Sequence, residues 1–387
     1  MTEAHVAGFL ADLLLILLSA KIFGEVAERL DQPAVLGELL GGVLLGFGLF
    51  SFFRPDDPAL ALMAQFGVVL LLFETGIHSD LSELVRVGPQ SLAVAIVGVT
   101  LPFVLGWALM AALGHGGMQA VLVGSALTAT SVGITARVLG DLGKLDLPEA
   151  RIVLGAAVID DILGIILLST VEGASAAGVF SWLVVLRATA LAVLFVAVAL
   201  SLGPALSRGL VRQIPKLKVR GVLITAAVSF AFALALLAHA MGSALIVGAF
   251  TAGALLSQTD KKADIAGALK PLADVFVPVF FVMVGARVRL SAYNPLVPGN
   301  YPMLGLAAGL IVIAIAGKLA SGLAVWRKGV NRLGIGVGMV PRGEVGLIFA
   351  QIGLAAGVLN DPLYAAVVAM VVATTFVAPP LLRRSFN

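Results

Sequence analysis

Two adjacent carboxylates, Asp160 and Asp161, stand in the run Val158-Ile159-Asp160-Asp161-Ile162-Leu163-Gly164, where every other residue is apolar or glycine. Burying even one ionised carboxylate without a partner is costly. A lysine, in Ala316-Gly317-Lys318-Leu319, is set just as deep in another apolar run. Asp160 lies nine residues beyond Arg151 and Lys318 nine residues before Arg327, roughly 13 Å of helix in each case. If the two runs cross a bilayer in opposite directions, the lysine and the aspartates meet at about one depth. A lysine so far from the interface needs a partner or a hydrated cavity. Neighbouring helical residues point about 100° apart, so Asp160 and Asp161 cannot both face the same group. The economical division is that one pairs with Lys318 while the other faces water and exchanges a proton for a cation. The competing reading is a static ion pair that only fixes helix packing, for which a second carboxylate is surplus.

The elements that must position these groups are membrane helices. The 387 residues are 60% hydrophobic and 12% charged, with a mean hydropathy of +1.08, outside the range of soluble domains. Apolar runs separated by Pro, Gly and charge clusters predict an all-α polytopic membrane protein of about thirteen spans. They fall near 6–29, 34–53, 62–78, 90–113, 118–137, 151–171, 179–207, 219–240, 243–258, 270–286, 303–326, 331–357 and 363–383. The first run has no basic stretch before it, so it is expected to stay as a helix and not to be cleaved as a signal peptide. With the N-terminus outside, eighteen Lys and Arg fall on the inner side and only Arg54, Arg287 and Arg289 on the outer, the bias expected for a cytoplasmic C-terminus. Few residues follow the last span, so no soluble regulatory domain is expected. There is no cysteine, and the four histidines have no metal spacing, so thiol chemistry and a resident metal centre are not expected.

An internal repeat organises the spans. Gly37 and Gly42, followed by Leu44-Leu45, match Gly248 and Gly253, followed by Leu255-Leu256, at an offset of 211. Phe73–Gly76 with Leu81 matches Val282–Gly285 with Leu290 at 209, and Val132-Gly133-Ile134 matches Val345-Gly346-Leu347 at 213. The shift equals seven spans, an odd number, so the copies lie in opposite orientation, a transporter design with substrate held between them. The expected division is a first repeat over 6–171, a linker helix over 179–207 and a second repeat over 219–383.

Two segments at equivalent places in the repeats are poor continuous helices. Gly124–Gly133 is dense in Ser, Thr and small residues, and Gly338–Gly346 carries Pro341 between glycines. They are expected to be broken helices whose exposed peptide dipoles face the site. Thr128, Thr130 and Ser131 offer oxygen ligands of the kind hard cations take. Arg342 and Glu344 are read mainly as neutralising the helix-end dipoles. Glu38, Glu74, Lys21 and the histidines at 78, 115 and 239 are weaker candidates. The motifs Gly37-x-x-x-Gly41 and Gly42-x-x-x-Gly46 suit close helix contact, between protomers among other places.

With its Thr128–Thr135 segment TATSVGIT, the VIDDILG run, Lys318 and Val340–Gly346 (VPRGEVG), the chain resembles the monovalent cation:proton antiporter-2 family over essentially its whole length, closest to the NapA-type bacterial sodium/proton antiporters. The resemblance implies an NhaA-like antiporter fold, Asp161 as the principal carboxylate for transported Na⁺, and Asp160 as a second ligand and partner of Lys318. It also implies a homodimer in a bacterial inner membrane, with a core that moves like an elevator, Na⁺, Li⁺ or K⁺ and protons as cargo, and lipids around it. No resident cofactor and no nucleic-acid partner are implied. The paired aspartates and the absence of an appended nucleotide-binding domain point away from potassium-type Kef relatives. The first broken helix lacks the aspartate of the NhaA branch, so pH-sensing ideas from that branch do not carry over.

Three other functions fit parts of the pattern. Intramembrane aspartyl proteases need two aspartates that approach across two helices, whereas Asp160 and Asp161 share one. A channel and a sodium-coupled organic-anion symporter also remain, the first disfavoured by the inverted repeats and the second by Lys318 beside two carboxylates.

Overall fold

Proline and glycine punctuate the apolar runs. Pro58, Pro89 and Pro148 each begin a helix, where the missing N–H costs nothing, and Gly114, Gly143, Gly221 and Gly357 take positive φ in the turns between helices. The computed structural model describes residues 3–30, 32–48, 53, 57–78, 88–144, 147–176, 182–213, 219, 221–241 and 245–386. These form α1 (Glu3–Arg29), α2 (Ala34–Val43), α3 (Pro58–His78), α4 (Pro89–Ala112), α5 (Met118–Ala126), α6 (Val132–Asp141), α7 (Pro148–Ala176) and α8 (Trp182–Gln213). After them come α9 (Val222–Ala240), α10 (Leu245–Leu256), α11 (Lys262–Ala286), α12 (Tyr301–Ser321), α13 (Arg332–Gly338), α14 (Glu344–Ala355) and α15 (Asp361–Phe386). No strand occurs among the described residues.

Eight of these helices are long and apolar enough to cross a membrane, and α2, α10 and α14 are shorter apolar helices. Outward-facing leucines and isoleucines such as Leu10, Leu14, Leu18 and Ile22 of α1 are exposed, and lipid is the solvent that tolerates such a surface. The chain is an all-helical, multi-pass membrane protein.

The helices pack as two groups. In one, α1 lies on α2, α9 on α10, α2 on α11, and α3 against both α10 and α11. In the other, α4 packs on α5, α7 and α12, while α15 packs on α12, α13 and α14. The long α8 lies against α7 and α10. A polar seam joins the groups where α11 ends and α15 begins: Tyr364 Oη donates to Val284 O (2.7 Å), Tyr293 Oη donates to Ala365 O (2.6 Å), and Arg289 pairs with Asp361 (3.3 Å).

Glycine sets the spacing in the first group. A Cβ at Gly42 would overlap the Val282 carbonyl, and one at Gly253 the Phe73 carbonyl; Gly76 meets Phe250 O and Gly285 meets Leu39 O. Gly37 and Gly248 likewise back onto Phe23 O and Leu234 O. Gly41 meets the Phe23 ring and Gly46 meets Ala286. The glycine motifs of α2 are therefore used up in contacts within the chain, which corrects the idea that they face a second protomer. Small residues let apolar helices approach backbone to backbone, the packing available where lipid removes the hydrophobic drive.

Several boundaries differ from the hydropathy reading. α11 starts at Lys262, eight residues before the expected 270, because its first turns are amphipathic: Ile265 and Leu269 are buried while Lys261 pairs with Asp264 at 2.8 Å. α2 leaves α-geometry after Val43 and unwinds at Gly46 (φ −83, ψ −141). α12 stops at Ser321, short of the expected 326, because Gly322 abuts the Arg332 carbonyl that opens α13.

Gly253→Val is expected to destabilise the protein by about 1–3 kcal/mol or more through overpacking, read as a lower thermal midpoint in detergent. Gly8→Ala, where nothing lies within 4 Å of the added carbon, is expected to leave that midpoint unchanged or raised, since alanine favours helix.

Candidate functional site

The two segments read as broken helices are interrupted in the structure. α5 ends at Ala126 and α6 starts at Val132; α13 ends at Gly338 and α14 starts at Glu344. The non-helical residues between cross each other, with Ser131 N donating to Pro341 O at 2.8 Å, and the flanking helices are joined by Thr135 Oγ1 of α6, which donates to Gly338 O at the end of α13 at 2.7 Å. Gly343 permits this crossing: a Cβ there would come within 2.9 Å of Ser131 Cβ and Oγ.

Interrupted helices leave carbonyls unpaired at one end and N–H groups at the other. Arg342, fully buried, fills the first need. Its Nη1 donates to Ala129 O (2.8 Å) and more weakly to Thr128 O (3.4 Å), and its Nη2 to Ala314 O (3.4 Å). A cation at the carboxyl end of α5 is also where the helix dipole favours one. Thr375 Oγ1 in turn donates to Arg342 O. Glu344 is the first residue of α14, the end that favours an anion; its side chain lies outside the described residues.

Beside the crossing sits a buried ion pair. Lys318 Nζ lies 2.5 Å from Asp160 Oδ2, with both side chains fully buried. Thr130 Oγ1 donates to the same oxygen at 2.6 Å and approaches Met339 O at 3.4 Å. Asp160 Oδ1, by contrast, is buried with no hydrogen-bond partner among the described residues. One carboxylate oxygen is thus held by two donors while the other is left for a further ligand, an arrangement costly to leave as it stands.

Each group comes from a different element. α7 carries Asp160, with the buried Ala156 and Ala157 one turn before it. Thr130 comes from the first crossing. Lys318 occupies the last turn of α12, where a cation also meets favourable dipole ends, and it runs beside Gly98 of α4, whose added Cβ would lie 3.3 Å from Nζ.

The structure brings together Asp160, Lys318 and Thr130 of the residues singled out from sequence. Asp161 follows Asp160 on α7, but its side chain lies outside the described residues. Thr128 donates its hydroxyl to Ser125 O (2.8 Å) and is not bonded to Asp160. Ser131 lines a separate cavity of about 50 Å³ with Arg342, Gly343 and Thr375 on one side and Val35, Leu36 and Leu39 of α2 on the other. Glu38 and Glu74 belong to α2 and α3 in the other helix group. Sequence reasoning missed the supports: Thr135, which lies inside TATSVGIT, Thr375, and Gly98, whose only signal was a glycine in an apolar helix.

A family model described as "Sodium/hydrogen exchanger, transmembrane" matches residues 14–386. The chain is 42% identical to the high-affinity Na(+)/H(+) antiporter NhaS3 of Synechocystis sp., over 98% of this chain and 90% of that protein. It is 37% identical to the Na(+)/H(+)-K(+) antiporter GerN of Bacillus cereus, over 98% and 96%. Its fold matches the solved sodium proton antiporter MjNhaP1 of Methanocaldococcus jannaschii at pH 8, with a TM-score of 0.76 over 98% of both chains and 17% identity.

Lys318→Ala leaves Asp160 buried without its cation and is expected to destabilise the fold by about 3–5 kcal/mol. Adding Asp160→Asn to Lys318→Ala is expected to restore most of that loss, because the uncompensated charge is gone. Thermal midpoints of the two variants in one detergent check both statements.

Proposed function

Because the chain belongs to the sodium/hydrogen exchanger family, we propose that it is a secondary active antiporter that exports Na⁺, or Li⁺, in exchange for H⁺ by alternating access. The observation that carries the reading is the Asp160–Lys318 pair, wholly buried beside two crossing broken helices, with one carboxylate oxygen unpartnered. A lone structural pair has no use for that free oxygen. A transported cation does.

The proposed architecture has thirteen spans in two inverted repeats, 6–171 and 219–383, joined by a linker over 179–207 that α8 largely fills. Paired glycine contacts support it. Gly42 meets Val282 and Gly253 meets Phe73, so glycines 211 apart touch carbonyls 209 apart. Gly76 with Phe250 and Gly285 with Leu39 repeat the relation. The first helix group is read as the scaffold of a homodimer and the second as the core that moves against it. The charge bias of the loops supports an outside N-terminus and an inside C-terminus, in a bacterial inner membrane.

In the cycle, Na⁺ reaches the crossing through the cavity lined by Ser131 and α2, which begins on the cytoplasmic side in this orientation. It is taken by Asp161 and by the free oxygen of Asp160, with Thr130 and waters completing the oxygen shell. Lys318 then yields its hold on Asp160, and protons leave as Na⁺ arrives, so that cation and protons compete for one site. Exchange of two protons per cation moves net charge, and the membrane potential then contributes about 2.3 kcal/mol per charge per 100 mV. K⁺ is the second cargo, supported by the printed name of the Bacillus cereus relative.

In proteoliposomes bearing a proton gradient, Na⁺ is expected to move protons, and Asp161→Asn to abolish that movement while the protein stays folded. Absence of movement with Na⁺, Li⁺ and K⁺ alike would sink the antiporter reading. Lys318→Gln is expected to keep exchange but lose its dependence on an imposed potential; a natural protein already insensitive to potential refutes the two-proton cycle.

A further inference from the structure

A second cavity, of about 100 Å³, lies between the helix groups. Gln65, Val68 and Val69 of α3, Leu245 and Ile246 of α10, and Phe280 of α11 wall one side; Ile348, Gln351 and Ile352 of α14 wall the other. Leu245 and Ile246 open α10, Phe280 lies six residues before the end of α11 and Ile352 three before the end of α14, while Val68 and Val69 stand at the middle of α3. The cavity therefore runs from the membrane half opposite the one where α2 begins towards the middle.

Its place is the counterpart of the smaller cavity. That one lies between α2 and the crossing that opens α6, with Val35 and Ile134 in its walls. This one lies between α10 and α14, and Ile246 stands 211 residues after Val35, the same offset that relates Gly37 to Gly248. Two cavities so placed are the two half-paths an inverted repeat makes, one to each face.

The lining is apolar except for the two glutamines. Gln351 Oε1 is buried and has no hydrogen-bond partner among the described residues. A buried amide oxygen left unsatisfied costs about 1–3 kcal/mol, and a cavity of this volume has room for several waters or a partly hydrated ion. Spacing i, i+3, i+4 puts Ile348, Gln351 and Ile352 on one face of α14, the helix that begins at the crossing.

We propose that this cavity is the outer antechamber of the ion path and that the Gln351 amide oxygen receives the cation there in place of a water. The inference rests on the antiporter reading above. Amide carbonyl oxygens are ordinary ligands of hard cations, and a neutral one holds the ion loosely enough to let it leave. Gln65, across the cavity, is the second amide available to it.

The natural chain has no cysteine, so Gln351→Cys supplies a single thiol for a membrane-impermeant maleimide added to sealed, oriented proteoliposomes. Labelling is expected from the outer face only, slowed by Na⁺, and labelled protein is expected to stop exchanging. Gln351→Leu is expected to raise the half-saturating Na⁺ concentration about fivefold, the equivalent of one hydrogen-bonding ligand, when Na⁺ is presented outside, and to leave the inner value unchanged. Three results overturn the inference while antiport stands: no labelling in lipid, as a lipid-filled cavity would give; exchange that survives the label; or an equal shift at both faces in Gln351→Leu. A natural protein that moves no protons with any cation overturns the antiporter reading itself and this inference with it.

Discussion

The Asp160–Lys318 pair is the constraint on which the rest of the molecule depends. Two charges withdrawn from water cost several kcal/mol each, and their attraction offsets this only with good geometry and further hydrogen bonds. Thr130 supplies one such bond, and the end of α12 supplies a favourable field for the lysine. Neither satisfies Asp160 Oδ1. The pair is held firmly on one side and left open on the other, as a site must be if it exchanges ligands.

That requirement accounts for the broken helices. A continuous membrane helix spends every backbone group on itself and has none to offer a ligand. Interrupted backbone at membrane depth is tolerated only where protein buries it or water reaches it, and here each interruption covers the other: Ser131 bonds Pro341, Thr135 bonds Gly338, and Arg342 takes the carbonyls at the end of α5. Arg342 is itself a fully buried cation on which the charge of Asp160 acts, so the crossing and the site are electrostatically linked.

The two helix groups differ in the buried polar groups they carry. In the first, glycines bring backbones into direct contact at six places related by the repeat, which leaves little freedom to slide. The second has such contacts too, at Gly322 with Arg332 O and Gly336 with Leu319 O, and adds side-chain hydrogen bonds around charged groups; it meets the first through a shared apolar core that includes Leu39, Phe280, Leu347 and Val367, together with two tyrosine hydroxyls and an exposed ion pair.

The sequence by itself determined that this is a helical membrane protein, that Asp160, Asp161 and Lys318 lie deep within apolar runs, and where the helices break. Those features follow from hydropathy, charge and glycine or proline placement, which act locally along the chain. The glycines that match at 211 were also legible, although their partners were not: Gly42 finds Val282 only because α2 meets α11. Tertiary structure decided that Lys318 ends a helix, since α12 stops where Gly322 meets Arg332, and that Thr130 bonds Asp160 while Thr128 turns to its own helix. It also decided that one carboxylate oxygen of Asp160 stays unpartnered. Which hydroxyl reaches which oxygen depends on distances of a few tenths of an ångström between elements far apart in the chain, and no local pattern of residue types encodes them.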